Sequence, residues 1–167
     1  ERPQLLLANA DSLIQLMSDH RERLEGHYVL PILVAETLAR LSDKAEFAQL
    51  CVEHGVATPR TEVIDLGEPR EEDWIPPTTS IPFPLVMKAA RTADMAGVRF
   101  EGKKKVWFLS TPEELSELVR TVAEAGYTGR LVIQELVPGD DTAEGSITAY
   151  ADAAGRVTLL CSARVLL

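Results

Sequence analysis

The sequence predicts a mixed α/β (α+β) fold, and three observations carry that prediction. Short apolar runs alternate with stretches whose apolar residues recur at helical spacing. Two of those helical stretches open on a capping signature, Asp43 with Glu46 and Thr111-Pro112 with Glu114. The apolar run at 131–135 is followed by Pro138 and Gly139 and then by Asp140 and Asp141, the pattern of a strand leaving the core through an acidic turn.

Taken in order, residues 4–8 read as a short strand. Asp11 is then placed to cap a helix carrying Leu13, Leu16, Met17, His20 and Leu24, with Gly26 as its stop. Residues 28–32 are a second short strand, interrupted by Pro31. This opening β-α-β pattern puts Asn9 and Asp11 at a strand's carboxyl end, where such units form a ligand crevice; capping is the simpler task for Asp11. Residues 34–41 form a short helix. Another begins at Asp43, with Phe47, Leu50 and Cys51 as its buried face and Gly55 as its end. Lys44 falls in the first turn, where the helix dipole disfavours a cation. It is either a solvated surface lysine or a sign of an anion nearby.

Residues 61–66 are a strand, and 67–82, rich in proline and acid, an exposed loop. Leu85, Val86 and Met87 make a core-like strand ending on Lys88, which either snorkels to solvent or faces a bound phosphate. Residues 91–102 hold Gly97 and Gly102 among small residues, with Arg91 and Arg99, and read as a mobile flap. A phosphate loop of the GxxxxGK type is absent. Lys103, Lys104 and Lys105 open the next strand, 106–109. Three adjacent lysines in an acidic chain are either a local cationic site or a guard on a sheet edge.

A helix from Thr111 carries the stripe Leu115, Leu118, Val119, Val122 and Ala123 and ends at Gly126. After the strand at 131–135 come strands at 146–152 and 157–165, joined by a hairpin connection at 152–156. At the exit of the first of these, Gln134, Glu135 and Asp141 gather beside backbone that Pro138 removes from sheet pairing. Free carbonyls and amides at a strand end suit the edge of a flat heteroaromatic base, and a carboxylate a few residues on suits a ribose hydroxyl. The plain alternative is a core strand with a charged turn.

Composition narrows the function classes. Hydrophobic residues at 46% and charged residues at 26% are ordinary for a soluble globular protein. A net charge of −9 over 167 residues opposes non-specific binding to nucleic acid or an anionic membrane, though a small anion needs only a few local cations. Cys51 and Cys161 form no disulfide framework and read as buried free thiols of a cytoplasmic protein. No run reaches transmembrane length, and no signal peptide is expected from the opening residues. The chain begins at Glu1 without Met and stops at Leu167 inside the apolar run SARVLL, as a piece of a longer protein would. Its unpaired last strand predicts association between copies.

The segments LSDKAEFAQLCVEHGVATPRT (41–61), IPFPLVMKAA (81–90), FEGKKKVWFLSTPEEL (100–115) and GRLVIQELVPGDD (129–141), followed by TAYADAAGRV (148–157), stand in a characteristic order and spacing. Together they resemble the ATP-grasp superfamily, in the branch of D-aspartate ligases and predicted carboxylate–amine ligases. The resemblance implies the tail of a Rossmann-like pre-ATP-grasp domain at 1–41, the N-terminal ATP-grasp subdomain at 42–133, and the start of a truncated C-terminal subdomain at 134–167. The rest of the catalytic half would be missing.

The same resemblance implies that Lys44 and Lys88 hold ATP phosphates and that Gln134 and Glu135 are the hinge pair addressing the adenine amino group. Leu136 lies between them and Val137, whose backbone amide would meet the ring, and Asp141 would bind ribose. Lys104 and Lys105 fall beside the phosphate flap, and Arg164 lies on the strand entering the catalytic half. The implied reaction joins a carboxylate to an amine at the expense of ATP through an acyl phosphate, with amino-acid or peptide substrates and Mg²⁺ as cofactor. The chain departs from the family pattern in two places: Ala89 follows Lys88 where Pro is usual, and the flap lacks a tight glycine run. The Mg²⁺ ligands of the family are expected beyond Leu167, so this piece alone is expected not to catalyse ligation. A reading of a different class is a non-catalytic nucleotide-binding or protein-interaction module that keeps the fold.

Overall fold

The computed structural model describes residues 4–67 and 74–164. The chain divides into two compact units, Glu1–Leu136 and Val137–Leu167. In the first, strands β1 (Gln4–Leu5) and β2 (Tyr28–Val29) pair in parallel. Helices α1 (Asp11–Asp19) and α2 (Arg21–Glu25) lie between them in sequence. The predicted single helix is therefore broken at His20, whose backbone leaves helical geometry (φ −113°, ψ 20°). Asp11 does not cap: Ala10 is the N-cap, and Asp11 sits inside the first turn, where its carboxylate suits the helix dipole.

Helices α3 (Ala35–Ser42) and α4 (Lys44–Glu53) follow. Asp43 caps α4 as its spacing predicts, Oδ1 accepting from the backbone amides of Ala45 (2.9 Å) and Glu46 (3.2 Å). The box is not closed by Glu46, because the Asp43 amide already donates to Ala39 of α3 at 3.2 Å. The buried face of α4 is Ala45, Ala48 and Cys51, not Phe47, which is 47% exposed. Small side chains at that spacing let the helix sit close on the sheet, and Phe47 points off the opposite side.

Four strands then make an antiparallel sheet in the order β3-β6-β4-β5: β3 (Thr61–Asp65), β4 (Leu85–Ala89), β5 (Trp107–Leu109) and β6 (Arg130–Glu135). The lysines 103–105 precede β5 and do not open it. Helix α5 (Pro112–Glu124) covers one sheet face. Thr111 caps it through Oγ1 to the Glu114 amide (3.2 Å), and the Glu114 carboxylate returns to the Ser110 amide (2.7 Å). Gly126 ends this segment at φ 85°, a conformation other residues avoid. Leu115, Val119 and Val122 of α5 meet Leu85, Met87, Leu131 and Ile133 in one core. Trp74 and Ile81 join that core, so the proline-rich connection is not wholly exposed; residues 68–73 of the predicted loop lie outside the described residues.

The second unit is an antiparallel hairpin of β7 (Gly145–Ala151) and β8 (Val157–Arg164), turned by Asp152 and Gly155 as predicted. Its described strand residues are exposed.

Candidate functional site

Strand pairing decides which side chains share the face opposite α5. Thr61 pairs with Gln134, Gln134 with Val86, and Val86 with Phe108, so these four stand in one line across the sheet. Because side chains alternate along a strand, Val63, Val132 and Lys88 lie on the same face one step further. Helix α4 covers the end of this face at Val132, which packs with Ala45 and Ala90. Towards Gln134 the face opens: Val86 and Gln134 are half-buried and Phe108 is 70% exposed.

Gln134 is oriented from below. Its Nε2 donates to Thr61 Oγ1 at 2.9 Å, and that hydroxyl donates to the Pro59 carbonyl at 2.8 Å. The amide oxygen makes no hydrogen bond among the described residues. It stands available as an acceptor beside the apolar Val86 and Phe108, an arrangement that suits the amino-bearing edge of a flat heterocycle.

Two lysines occupy the other end of the open face. Lys44 is the first residue of α4; its amide donates to the Ala90 carbonyl at 3.0 Å. Its Nζ makes only long contacts, 3.4 Å each, to Ala90 O and Thr92 Oγ1. Lys88 makes no hydrogen bond or ion pair among the described residues. Burial, and then the charge of Lys44, push its ammonium below the usual lysine range. Two neighbouring cations, one half-buried and unpaired, form a field that an anion would relieve. The acids at the start of α4 do not relieve it, because Arg130 engages both: Nη2 to Asp43 Oδ2 at 2.9 Å and Nη1 to Glu46 Oε1 at 2.8 Å.

A groove of about 380 Å³ is lined by Ala89, Thr92, Met95, Lys103, Lys104, Lys105 and Trp107; Thr92 links it to Lys44, while Ala89, Met95 and Trp107 belong to the core on the α5 side. Lys104 and Lys105 are exposed and unpaired among the described residues. Lys103 differs from both: its Nζ donates to Met95 O (2.6 Å) and Val98 O (2.8 Å), with a longer contact to Ala96 O (3.5 Å). The segment predicted as a flap is thus closed on itself by one lysine.

The remaining predicted residues differ in their partners. The Glu135 carboxylate is held by Arg60, through the backbone amide (3.0 Å) and Nε (3.0 Å), which lowers its pKa from the ordinary carboxylate value. Leu136 and Val137 are exposed. Arg164 donates from Nε and Nη2 to the Thr142 carbonyl within the hairpin unit. The side chain of Asp141 lies outside the described residues. Thr61, Thr92 and Arg130 are site-bordering residues that the sequence pattern did not single out. Among the described residues no group of three or more His, Cys, Asp or Glu side chains is placed to hold a metal ion.

No protein-family model matches the chain. It is 30% identical over 167 residues to the D-aspartate ligase of Enterococcus faecium (strain Aus0004), a match covering 98% of this chain and 38% of that protein. The chain therefore spans well under half the length of this curated relative. Among solved structures it is similar to the ADP complex of N5-carboxyaminoimidazole ribonucleotide synthetase, at TM-score 0.54 and 13% identity, covering 95% of this chain and 41% of that one. It is also similar to the D-alanine–D-alanine ligase of Bacillus anthracis complexed with ATP, at TM-score 0.52 and 17% identity, covering 90% and 47%. A RimK domain protein ATP-grasp from Sphaerobacter thermophilus DSM 20745 matches at TM-score 0.53 and 12% identity, covering 90% and 48%.

Proposed function

We propose that this chain, as part of an ATP-grasp protein, supplies the ATP-binding portion of an ATP-dependent carboxylate–amine ligase. The observation that carries the reading is the pair Lys44 and Lys88: neighbouring cations with no carboxylate partner among the described residues, at one end of an open sheet face. At the other end, Gln134 offers an amide oxygen next to an apolar row. In this reading the adenine lies against Val86 and Phe108 with its amino group towards Gln134 and the backbone at Glu135. The phosphates lie towards Lys88, Lys44 and the groove bordered by Lys104 and Lys105. Leu136, Val137 and Asp141 keep the ring and ribose roles that the resemblance implies for them.

The chemistry assigned to the whole ligase follows from an activated carboxylate. An oxygen of the substrate carboxylate attacks the γ-phosphorus of ATP, the bond to the bridging oxygen breaks, and ADP leaves. The amine nitrogen of the second substrate attacks the acyl carbon, inorganic phosphate leaves, and the amine loses a proton. The lysines here position the triphosphate and balance its charge. Similarity to a D-aspartate ligase supports amino-acid or peptide substrates. The described residues hold no acidic cluster that fits Mg²⁺, so no step is assigned to a metal on this chain.

Calorimetric titration of ATP, with and without Mg²⁺, into the longest natural chain carrying these residues tests the proposal. Lys88→Ala is expected to abolish binding and Gln134→Ala to weaken it by about tenfold, the scale of one lost oriented hydrogen bond. A well-folded wild-type protein that binds no ATP would overturn the reading.

A further inference from the structure

Lys44 stands at a helix start that also carries two acids, Asp43 just before it and Glu46 within the same turn. Side chains one and two positions apart on a helix do not face each other, so direct pairing with Lys44 is not expected, but two uncompensated carboxylates within one turn of it would oppose any anion held there. Here neither acid forms an ion pair with Lys44. Arg130, remote in sequence at the start of β6, takes one oxygen of each, Asp43 at 2.9 Å and Glu46 at 2.8 Å. The planar, fork-shaped guanidinium suits this double engagement better than an ammonium does. Asp43 is only 4% exposed, so its carboxylate has little recourse to water if the arginine is removed.

The arginine's main chain acts in the same place. Its carbonyl accepts from the Ala90 amide (2.9 Å) and the Tyr127 hydroxyl (3.0 Å), and the Ala90 carbonyl in turn accepts from the Lys44 amide (3.0 Å). One residue thus fixes the end of β4 next to Lys88 through its backbone, and the charges around Lys44 through its side chain.

We propose that Arg130 is a positioning residue for anion binding, one that compensates the charges of Asp43 and Glu46 and so keeps them from opposing the phosphates of a nucleotide held at Lys44. The choice of ligand rests on the proposed function; the partition of charges does not. A side-chain substitution leaves the backbone links intact and isolates the electrostatic part.

Two readouts separate the claims. The first uses no nucleotide: acylation of Lys44 by acetic anhydride, followed by mass spectrometry. Arg130→Gln is expected to slow it several-fold, because uncompensated carboxylates nearby hold the ammonium protonated, and adding Glu46→Gln to that variant is expected to restore part of the rate. The second is affinity for adenosine, ADP and ATP. Arg130→Gln is expected to weaken ATP by about fivefold to tenfold and ADP less, and to leave adenosine within about twofold, because the loss scales with ligand charge. Arg130→Lys should recover part of the loss. Should Arg130→Gln fail to fold, Glu46→Gln alone remains informative: removing one acid must leave ATP affinity unchanged or tighter, and a weakening overturns the proposal. Unchanged Lys44 acylation, or equal weakening of adenosine and ATP, also overturns it. Altered acylation in a protein that binds no nucleotide would keep the role of Arg130 and overturn the proposed function instead.

Discussion

The two faces of the four-stranded sheet are built from the same strands, in alternate residues, and they differ in almost every physical respect. On the α5 side, Leu85, Met87, Leu131 and Ile133 have no measurable exposure and sit in one continuous core. On the other side α4 covers only one end, and the row Thr61, Gln134, Val86 and Phe108 carries a free amide oxygen beside apolar surface and leads to a half-buried cation. A face optimised for stability would not keep at 88 a lysine without a partner among the described residues, or an exposed phenylalanine at 108. The difference marks which face the fold seals and which it leaves open, the face to which the proposed function assigns the nucleotide.

Breaking that comparison gives the largest expected effect. Leu131→Ala on the sealed face should cost about 2–5 kcal/mol, the range for a fully buried leucine whose cavity cannot collapse. Phe108→Ala on the open face should change stability by no more than about 0.5 kcal/mol. Urea unfolding of the two variants decides this, and similar losses in both would mean that the open face is packed in solution.

Lys88 sharpens the contrast. Replacing it by Met removes a cation that burial and Lys44 both disfavour, so stability should rise slightly while ATP binding disappears, a trade typical of binding sites. The sign of the pH dependence follows from the same depressed pKa. Between that value and the unfolded lysine value of about 10.4, the unfolded chain binds more protons, so stability rises with pH across that window. Lys88→Met should flatten the slope. Bound phosphate favours the charged lysine, so ATP binding should take up protons and weaken as pH rises through the free-state pKa of Lys88. Calorimetry in buffers of different ionisation heat reads the proton uptake, and proton release on binding would contradict the assignment.

How far the sequence announces these features depends on whether the cause is local. The Thr111 cap, the stripe of α5, the hairpin at Asp152 and Gly155, and the apolar β6 are set by neighbours a few residues apart, and each is legible. Lys44 is legible as a misplaced charge and Lys88 as a cation ending an apolar strand, yet their proximity comes from packing α4 against β3, β6 and the residue that follows β4. The Arg130–Asp43 link spans 87 positions, and no periodicity foretells it. The buried face of α4 misleads because closeness to the sheet selects alanines where hydrophobicity alone favours Phe47. The break at His20 and the closure of residues 95–98 on Lys103 likewise depend on backbone geometry that composition does not encode.

The smallest effect concerns the edge of the open face, where Arg60 and Glu135 meet. Their side chains are 61% and 36% exposed, and an ion pair in that setting contributes little after screening. The backbone does more there: the Arg60 amide donates to Glu135 Oε1, and the Glu135 amide donates to the Arg60 carbonyl, both at 3.0 Å. Arg60→Ala keeps both of these links, so it should move Tm by less than about 2 °C and ATP affinity by less than about twofold. Glu135→Ala removes the acceptor for the Arg60 amide and loosens the strand end that carries Gln134, so it should weaken ATP more than Arg60→Ala does. If Arg60→Ala instead proves as damaging as Gln134→Ala, the exposed guanidinium itself shapes the nucleotide edge. The division between a sealed face that gives stability and an open face that gives binding would then extend past the sheet into its flanking turn.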